Sequence, residues 1–479
     1  MEKEFSLKMQ LTVYSERITC LLYTSIIAGA GASGVFMAYE LTKIENNARV
    51  LMIDKGAPLE KRNCPIKVGK TDGCIKCSPC HIMNGYGGAG TLSDGKYNIT
   101  TQFGGELHKY VGIDKAMELM EYVDSVLCEM GGSDAKLYST ANSELKTIAL
   151  RNNLHLLEAK VRHLGTDRNV MILGRIFDYI KERIDTKFFT TLESVQRLDN
   201  GEFLVKTDKG DEYTCKDMVL ATGRSGSKWI SQICDSFGIE QKKNRVDIGV
   251  RVELPAEVFK HITDDVYESK IVYKTEKYND MVRTFCMNPY GEVVAENTNG
   301  IVTVNGHSYA DPQLHTENTN FALLVSNHFT EPFEDSNEYG ESIARLSNML
   351  GGGVLLQRFG DLVKGRRSSE RRMEKCFTRP TLKATPGDLS LVIPKRQLDS
   401  IIEMIYALDK IAPGTANEDT LLYGVEVKFY NSKVKVDENL ETTVKGLYTL
   451  GDGSGVTHSL SQASASGVHL ARILAKKYR

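Results

Sequence analysis

The run Ile26-Ile27-Ala28-Gly29-Ala30-Gly31-Ala32-Ser33-Gly34 constrains the fold of this chain more than any other stretch. It is a short apolar segment ending in G-x-G-x-x-G, and Val35-Phe36-Met37-Ala38-Tyr39-Glu40-Leu41 follows. That order predicts strand, tight turn, helix. Gly29 allows the reversal, Gly31 exposes bare backbone, and Gly34 lets the helix lie close against the strand. A helix start of this kind offers unpaired N–H groups and a positive dipole end to a phosphate. Asp54 stands twenty residues beyond Gly34, at the end of Val50-Leu51-Met52-Ile53. A carboxylate there is placed for an adenosine ribose, so the element as a whole predicts a bound dinucleotide.

At 479 residues the chain is too long for one ordinary core. Its 41% apolar and 25% charged fractions are those of a water-exposed globular protein. A net charge of −2 argues against nucleic acid or an anionic membrane as partner. From Ile18 to Tyr39 no residue is charged, which has the look of an anchor. The glycines and the hydroxyl residues Thr19, Thr24, Ser25 and Ser33 favour a buried strand and helix instead. Residues 20–25 (CLLYTS) resemble a translated sequencing adapter, so residues 1–25 are set aside as an uncertain segment. Ten cysteines without a secretory signal lead us to expect a reducing, cytoplasmic setting.

Further along, residues 84–96 (NGYGGAGTLSDGK) hold too much glycine for a helix and suit backbone lying flat against a ligand. Residues 113–130, 143–153 and 169–185 read as helices, and 154–159 as a strand. Segments 188–198, 202–207 and 211–215 alternate as strands joined by Asp199-Asn200-Gly201 and Lys209-Gly210. Residues 218–224 then form a buried strand opening into a glycine turn. From 245 to 420 strand-like runs mix with helical ones, among them 321–328, 339–350 and 397–408 as helices, which predicts a separate α+β unit. The basic run Lys364-Gly365-Arg366-Arg367-Ser368 with Arg371-Arg372 is either a solvated face or a grip on an anion. The chain closes with a strand ending in Gly451-Asp452 and a helix from about Ser461 whose first turns are rich in small residues.

Three signals now stand together: GAGASG with Asp54, Val-Leu-Ala-Thr-Gly at 219–223, and Gly-Leu-Tyr-x-x-Gly-Asp at 446–452. As a set they resemble the two-dinucleotide-binding-domain flavoproteins of the glutathione-reductase-like FAD fold. The stretches CxxCxxC, GGAGTLSDGKYN, FCMNPYGEVV, VNGHSYA and NTNFALLV further resemble a group of bacterial FAD-dependent dehydrogenases. The resemblance implies an α/β fold: a Rossmann-like FAD-binding domain, with a central parallel sheet and a small antiparallel β excursion, carrying an inserted α+β substrate domain. The expected boundaries are 26–110, 154–244 and 421–479 for the discontinuous FAD-binding domain, 111–153 for a helical insert and 245–420 for the substrate domain. It places the FAD pyrophosphate at Gly29, Gly31 and Gly34 with Ala32 and Ser33, and the ribose at Asp54 with Lys55 beside it. Gly451 and Asp452 take the ribityl chain or pyrophosphate, and Val195 is the implied backbone contact to adenine. Gly88, Gly90, Thr222, Gly223 and Gly467 complete the expected cofactor set. A second G-x-G-x-x-G, which a nicotinamide partner would need, is not found between 150 and 330.

Cys74-x2-Cys77-x2-Cys80 has the spacing of a ferredoxin-type cluster, with Cys64 as a fourth thiolate. Zinc could use the same four residues, and a dithiol or plain reduced thiols fit the spacing as well. Because a flavin performs hydride transfer itself, no catalytic base is required. The candidates, if one operates, are His307 and His458, with Lys96 as a cation near the flavin. The expected function is a cytoplasmic FAD-dependent dehydrogenase acting on a small organic molecule. The alternatives are an electron carrier with a metal site and a protein partner, or an FAD-dependent RNA-modifying enzyme, which the near-neutral charge disfavours.

Overall fold

The computed structural model describes residues 22–65, 68–71, 75, 77–141, 143–298, 300–309, 311–329, 332–333 and 335–479. Its first unit begins with strand β1 (Leu22–Ala28), helix α1 (Ala32–Lys43) and strand β2 (Val50–Ile53). β1 is buried from Ser25 onward and β2 throughout, as apolar runs in a sheet covered on both faces should be. The chain returns to this sheet as β3 (Asp185–Lys187), β4 (Leu192–Arg197), β5 (Phe203–Thr207) and β6 (Glu212–Leu220). β1, β2, β3 and β6 run parallel, while β4, β5 and β6 form an antiparallel meander at the other edge. The order is β3-β2-β1-β6-β5-β4. The α/β class with its parallel sheet and small β excursion is therefore the fold that the sequence implied. β1 starts inside the stretch set aside: Tyr23 is buried and its hydroxyl donates to Asp185 at 2.8 Å, so residues 22–25 belong to the sheet. Residues 1–21 lie outside the described residues.

The second unit is an eight-stranded, mostly antiparallel sheet. Its centre is β7 (Val246–Pro255), β8 (Met281–Asn288), β9 (Asn318–Asn327) and β10 (Leu421–Phe429), in the spatial order β10-β7-β9-β8. Helix α2 (Lys395–Asp409) lies on one face. Side chains alternate across a strand, so the pairing fixes which residues share a face. Ile248, Val250, Val252, Val282, Leu323, Val325 and Val425 enter the core with Ile401, Met404, Ile405 and Leu408 of α2. The opposite face carries Asp247, Arg251, Arg283, Phe285, Glu426 and Lys428: Glu426 pairs with Gly249, Gly249 with Leu324 and Leu324 with Arg283, while Lys428 pairs with Asp247.

The chain then returns to the first sheet as β11 (Leu447–Thr449), parallel to β6, and ends in helix α3 (Leu460–Lys477). Three sequence expectations change. Residues 321–328 are not a helix: 321–327 belong to β9, the strand buried on both faces at the middle of its sheet. A continuous apolar run reads alike in a buried helix and a buried strand, and the pairing to β7 and β8 decides. Strand Leu154–Leu156 and β10 were both expected in the FAD-binding domain; hydrogen bonding puts them in the second sheet. The unit boundary accordingly falls after Phe429 rather than at 420.

Candidate functional site

Three chain crossovers meet at the carboxyl ends of β1, β6 and β11, the position where open α/β sheets take ligands. A Cβ added at Gly29, whose φ is +107°, would stand 2.5 Å from the Ala221 carbonyl oxygen. One added at Gly34 would stand 2.2 Å from the Gly29 carbonyl oxygen. At Gly451 it would meet Ser33 Oγ at 2.5 Å, and at Gly453 the Gly223 backbone at 3.2 Å. The turns after 28, 220 and 450 are thus held against one another by absent side chains. Above them the space is open: the nearest atom to a Cβ at Gly31 is 3.8 Å away, and at Gly223 nothing lies within 4 Å.

The start of α1 supplies the anion-binding chemistry. Gly31 is its N-cap and contributes no capping side chain, and no acidic residue occupies the first turn. The opening N–H groups, with the positive dipole end, are left to whatever lies above Gly31. Residues 84–91 close the other wall. Gly87 N–H donates to the Ala30 carbonyl at 2.7 Å, and a Cβ at Gly88 would sit 3.1 Å from the Gly31 Cα. Gly90 faces Leu460 at the start of α3. These residues fit a pyrophosphate-bearing nucleotide: bare backbone on two sides, a helix start between, and nowhere for a Cβ.

Asp54 is placed differently from a plain ribose ligand. Its carboxylate accepts N–H bonds from Ala30 at 2.9 Å, Gly56 at 2.7 Å and Gly85 at 3.0 Å, tying the glycine turn to the 84–91 wall. Lys55 reaches toward the Ser225 carbonyl at 3.4 Å. Val195 is a correction: it lies in β4, at the far edge of the sheet from β2, with its side chain in the core beside Val205. Phe189 and Thr190 take its place beside Asp54, donating backbone N–H to the carbonyls of Gly56 and Asp54. Gly467 is a second correction. A Cβ there would strike the Ser33 carbonyl oxygen at 2.1 Å, so this glycine lets α3 lie directly on α1.

Asp452 sits half-buried between Arg224 and His458, with Arg224 Nε 2.9 Å and His458 Nδ1 3.0 Å away. Burial alone would raise its pKa, but Arg224 and His458 outweigh this and hold it at about 2. Burial pushes the His458 imidazole down, with Asp452 opposing. In the neutral ring, Nδ1–H donates to Asp452 and Nε2 is left basic. Asn431 donates to the Asp452 carbonyl at 2.7 Å, and the Tyr430 ring meets His458 edge-on at 4.8 Å between centroids.

The other catalytic candidates lie where the first unit meets the second. Lys96 is buried, and its ammonium is shared among Asp94 at 3.0 Å, the Met287 carbonyl at 2.8 Å and Asn288 Oδ1 at 2.9 Å. All three donors are engaged, so Lys96 clasps the two units together. His307 ends a hairpin strand opposite Glu292 and lies close enough to Asp94 to lower its pKa. Within the basic run at 364–372, Arg366 and Arg372 bind the buried Asp361 at 2.7 and 3.0 Å, which gives these two a structural role. Of the cysteine cluster, Cys64, Cys77 and Cys80 are free thiols, half-buried, and Cys74 lies outside the described residues. Among the described residues no group of three or more His, Cys, Asp or Glu is arranged to hold a metal ion.

Two parts of the site have no motif. Arg62 is buried behind the 81–88 loop and donates to four carbonyls: His81 at 3.1 Å, Ile82 at 2.7 Å, Tyr86 at 2.5 Å and Gly88 at 2.9 Å. The polar face of β7, β8 and β10 was legible only as alternation, V-D-I-G-V-R-V-E in β7 and V-E-V-K in β10.

Residues 245–429 match the family described as FAD-dependent protein, C-terminal domain-like. The match assigns FAD as the cofactor and covers the second unit up to the end of β10. An uncharacterized protein of Clostridium beijerinckii is 26% identical over 474 residues, covering 95% of this chain and 81% of its own. Among solved structures, L-proline dehydrogenase from P. horikoshii aligns at 14% identity and TM-score 0.43, covering 95% of this chain and 94% of its own. Glycine oxidase from Geobacillus kaustophilus aligns at 11% identity and TM-score 0.41, covering 96% and 95%. Neither likeness speaks to substrate. No helix among the described residues is long and apolar enough to cross a membrane.

Proposed function

We propose that this chain is an FAD-dependent oxidoreductase, a dehydrogenase of a small organic substrate, holding its cofactor as the glutathione-reductase-like flavoproteins do. The observation that carries the reading is the meeting of the three glycine crossovers, with open space above Gly31 and Gly223. Bound FAD supplies a two-electron acceptor for substrate hydride. The chain's own residues do the rest. The α1 N-terminus and the backbone at Gly31 and Gly88 hold the pyrophosphate, with Gly451 opposite. Asp54 and Arg62 fix the walls of that cradle. Asp452 is kept ionised by Arg224 and His458, which leaves it an acceptor for a cofactor hydroxyl. His458 Nε2 is the base best placed to receive a substrate proton.

Anaerobic purification tests the reading. The expected product is yellow, with one FAD per chain, and it bleaches when a panel of small organic substrates includes the right one. Iron in proportion to the chain, with no bleaching by any small substrate, would instead favour the electron carrier using Cys64, Cys74, Cys77 and Cys80.

A further inference from the structure

The polar face of the second sheet gathers more cations than it neutralises. Around Phe285, Lys428 Nζ stands 3.7 Å from the ring centroid, Lys270 Nζ 4.3 Å and the Arg283 guanidinium carbon 5.4 Å. The neighbouring cations have carboxylate partners, Arg245, which lies over the Tyr430 ring, sharing Asp247 with Arg283. Lys270 bonds Glu268 at 2.7 Å, Arg283 bonds Asp247, and Arg224 bonds Asp452 at 2.9 Å. Among the described residues Lys428 has no ion pair or hydrogen bond: its ammonium lies over the rings of Phe285 and Tyr430, and its side chain is half-buried rather than solvated. Of the acidic groups near enough to act on it, Asp452 is paired with Arg224 and His458 and Glu426 with Arg251, and burial pushes the Cys286 thiol up, so it brings no counter-charge at neutral pH. The backbone is strained at the same place. Cys286 has φ +42°, in a bulge where the β8–β9 register shifts, and such strain in a non-glycine residue clusters at functional sites. The recess also adjoins the cofactor cradle, because Arg224, in the turn after β6, and Asp452, in the turn after β11, both lie near enough to interact with Lys428, and Arg224 has half its side chain accessible.

We propose that the Lys428 ammonium, walled by Phe285 and Tyr430, binds the carboxylate of an organic monoanion that is the substrate of the adjoining site. One unpaired ammonium between two aromatic rings suits a carboxylate on an organic body better than a fully hydrated phosphate dianion. The aromatic walls suit the organic part of such a molecule. This assignment of substrate class rests on the flavin reading only for the word substrate; the anion site stands on its own geometry.

Calorimetric titration with benzoate, benzamide and inorganic phosphate, with and without FAD, tests it. Benzoate is expected to bind with saturation, benzamide at least thirtyfold more weakly, and phosphate at least tenfold more weakly. Lys428→Gln should lose the benzoate preference, and Lys428→Arg should keep it. In the FAD-loaded protein, benzoate should also shift the flavin absorption band. Equal binding of benzamide, or of phosphate, overturns the proposal, as does undiminished benzoate binding in a folded Lys428→Gln variant. If FAD binds and benzoate does not, the anion site fails while the flavin reading stands. If benzoate binds through Lys428 and FAD does not bind, the anion site stands and the flavin reading fails.

Discussion

Gly31 and Gly34 lie three residues apart and respond to a side chain in opposite ways. A methyl at Gly34 collides with backbone at 2.2 Å, so Gly34→Ala is expected to cost about 3 kcal/mol or more of stability, read as a lowered denaturation midpoint. A methyl at Gly31 meets nothing closer than 3.8 Å and projects where the pyrophosphate would lie. Gly31→Ala should therefore melt like the parent and bind FAD at least tenfold more weakly. A cofactor-independent role for Gly31 would instead leave FAD affinity unchanged. Lys428 gives a pH signature at the same scale. Burial, opposed by Cys286 and reinforced by Arg283, Arg224 and Lys270, lowers its pKa to about 7, beneath the ordinary lysine value. The folded state then binds the proton less well than the unfolded chain, so charged Lys428 destabilises the FAD-free fold fully below pH 7. That penalty fades as pH rises toward 10.5. Lys428→Met should accordingly raise FAD-free stability by on the order of 1 kcal/mol at pH 6 and by almost nothing above pH 10.5, in denaturant titrations at both values.

At the scale of elements, the 81–88 loop depends on one side chain from outside it. Arg62→Met removes all four bonds and leaves Thr91 as the donor to the Tyr86 and Gly88 carbonyls, at a cost of about 3 kcal/mol local to the loop. Faster hydrogen exchange across 81–90 and weaker FAD binding are expected, with β1 and β6 still protected; uniform exchange throughout would show the loop does not rely on Arg62. The sequence announced the turns here but not their stays. Gly29, Gly34, Gly223 and Gly451 are visible because a tight crossover tolerates no other residue, and the motif spacing reports that directly. Arg62 carries no such signal, since a buried arginine is spelled like an exposed one. The same limit made residues 321–328 read as a helix: an apolar run records burial on all sides, and only its neighbours show which element is buried. Val195 failed for a related reason. The meander has three strands, and spacing does not say which end passes Asp54; Phe189 and Thr190 do.

Across the whole molecule, two of the polar links between the units respond to different perturbations. Lys96 clasps Asp94 on one side to Met287 and Asn288 on the other, so Lys96→Met strands a largely buried carboxylate and should cost roughly 3 kcal/mol in global unfolding. The second link runs through Asp452, Arg224, His458 and Tyr430. Because Asp452's folded pKa of about 2 lies beneath its unfolded value near 3.8, its contribution is complete above about pH 4 and disappears as pH falls toward 2. Asp452→Asn should flatten the acid limb of the stability profile over that window and leave the profile above pH 5 parallel to the parent. Neither link was legible beforehand, because each pairs residues that the sequence holds far apart.

The account turns on a single shared grip, backbone at three crossovers closing on one flavin nucleotide. Titrating FAD into flavin-free protein while following quenching of flavin fluorescence measures that grip directly. Saturation at one FAD per chain, with Gly31→Ala shifted to at least tenfold higher concentration, is the result predicted. Fluorescence that stays unquenched in folded protein, or quenching that Gly31→Ala leaves untouched, would contradict it.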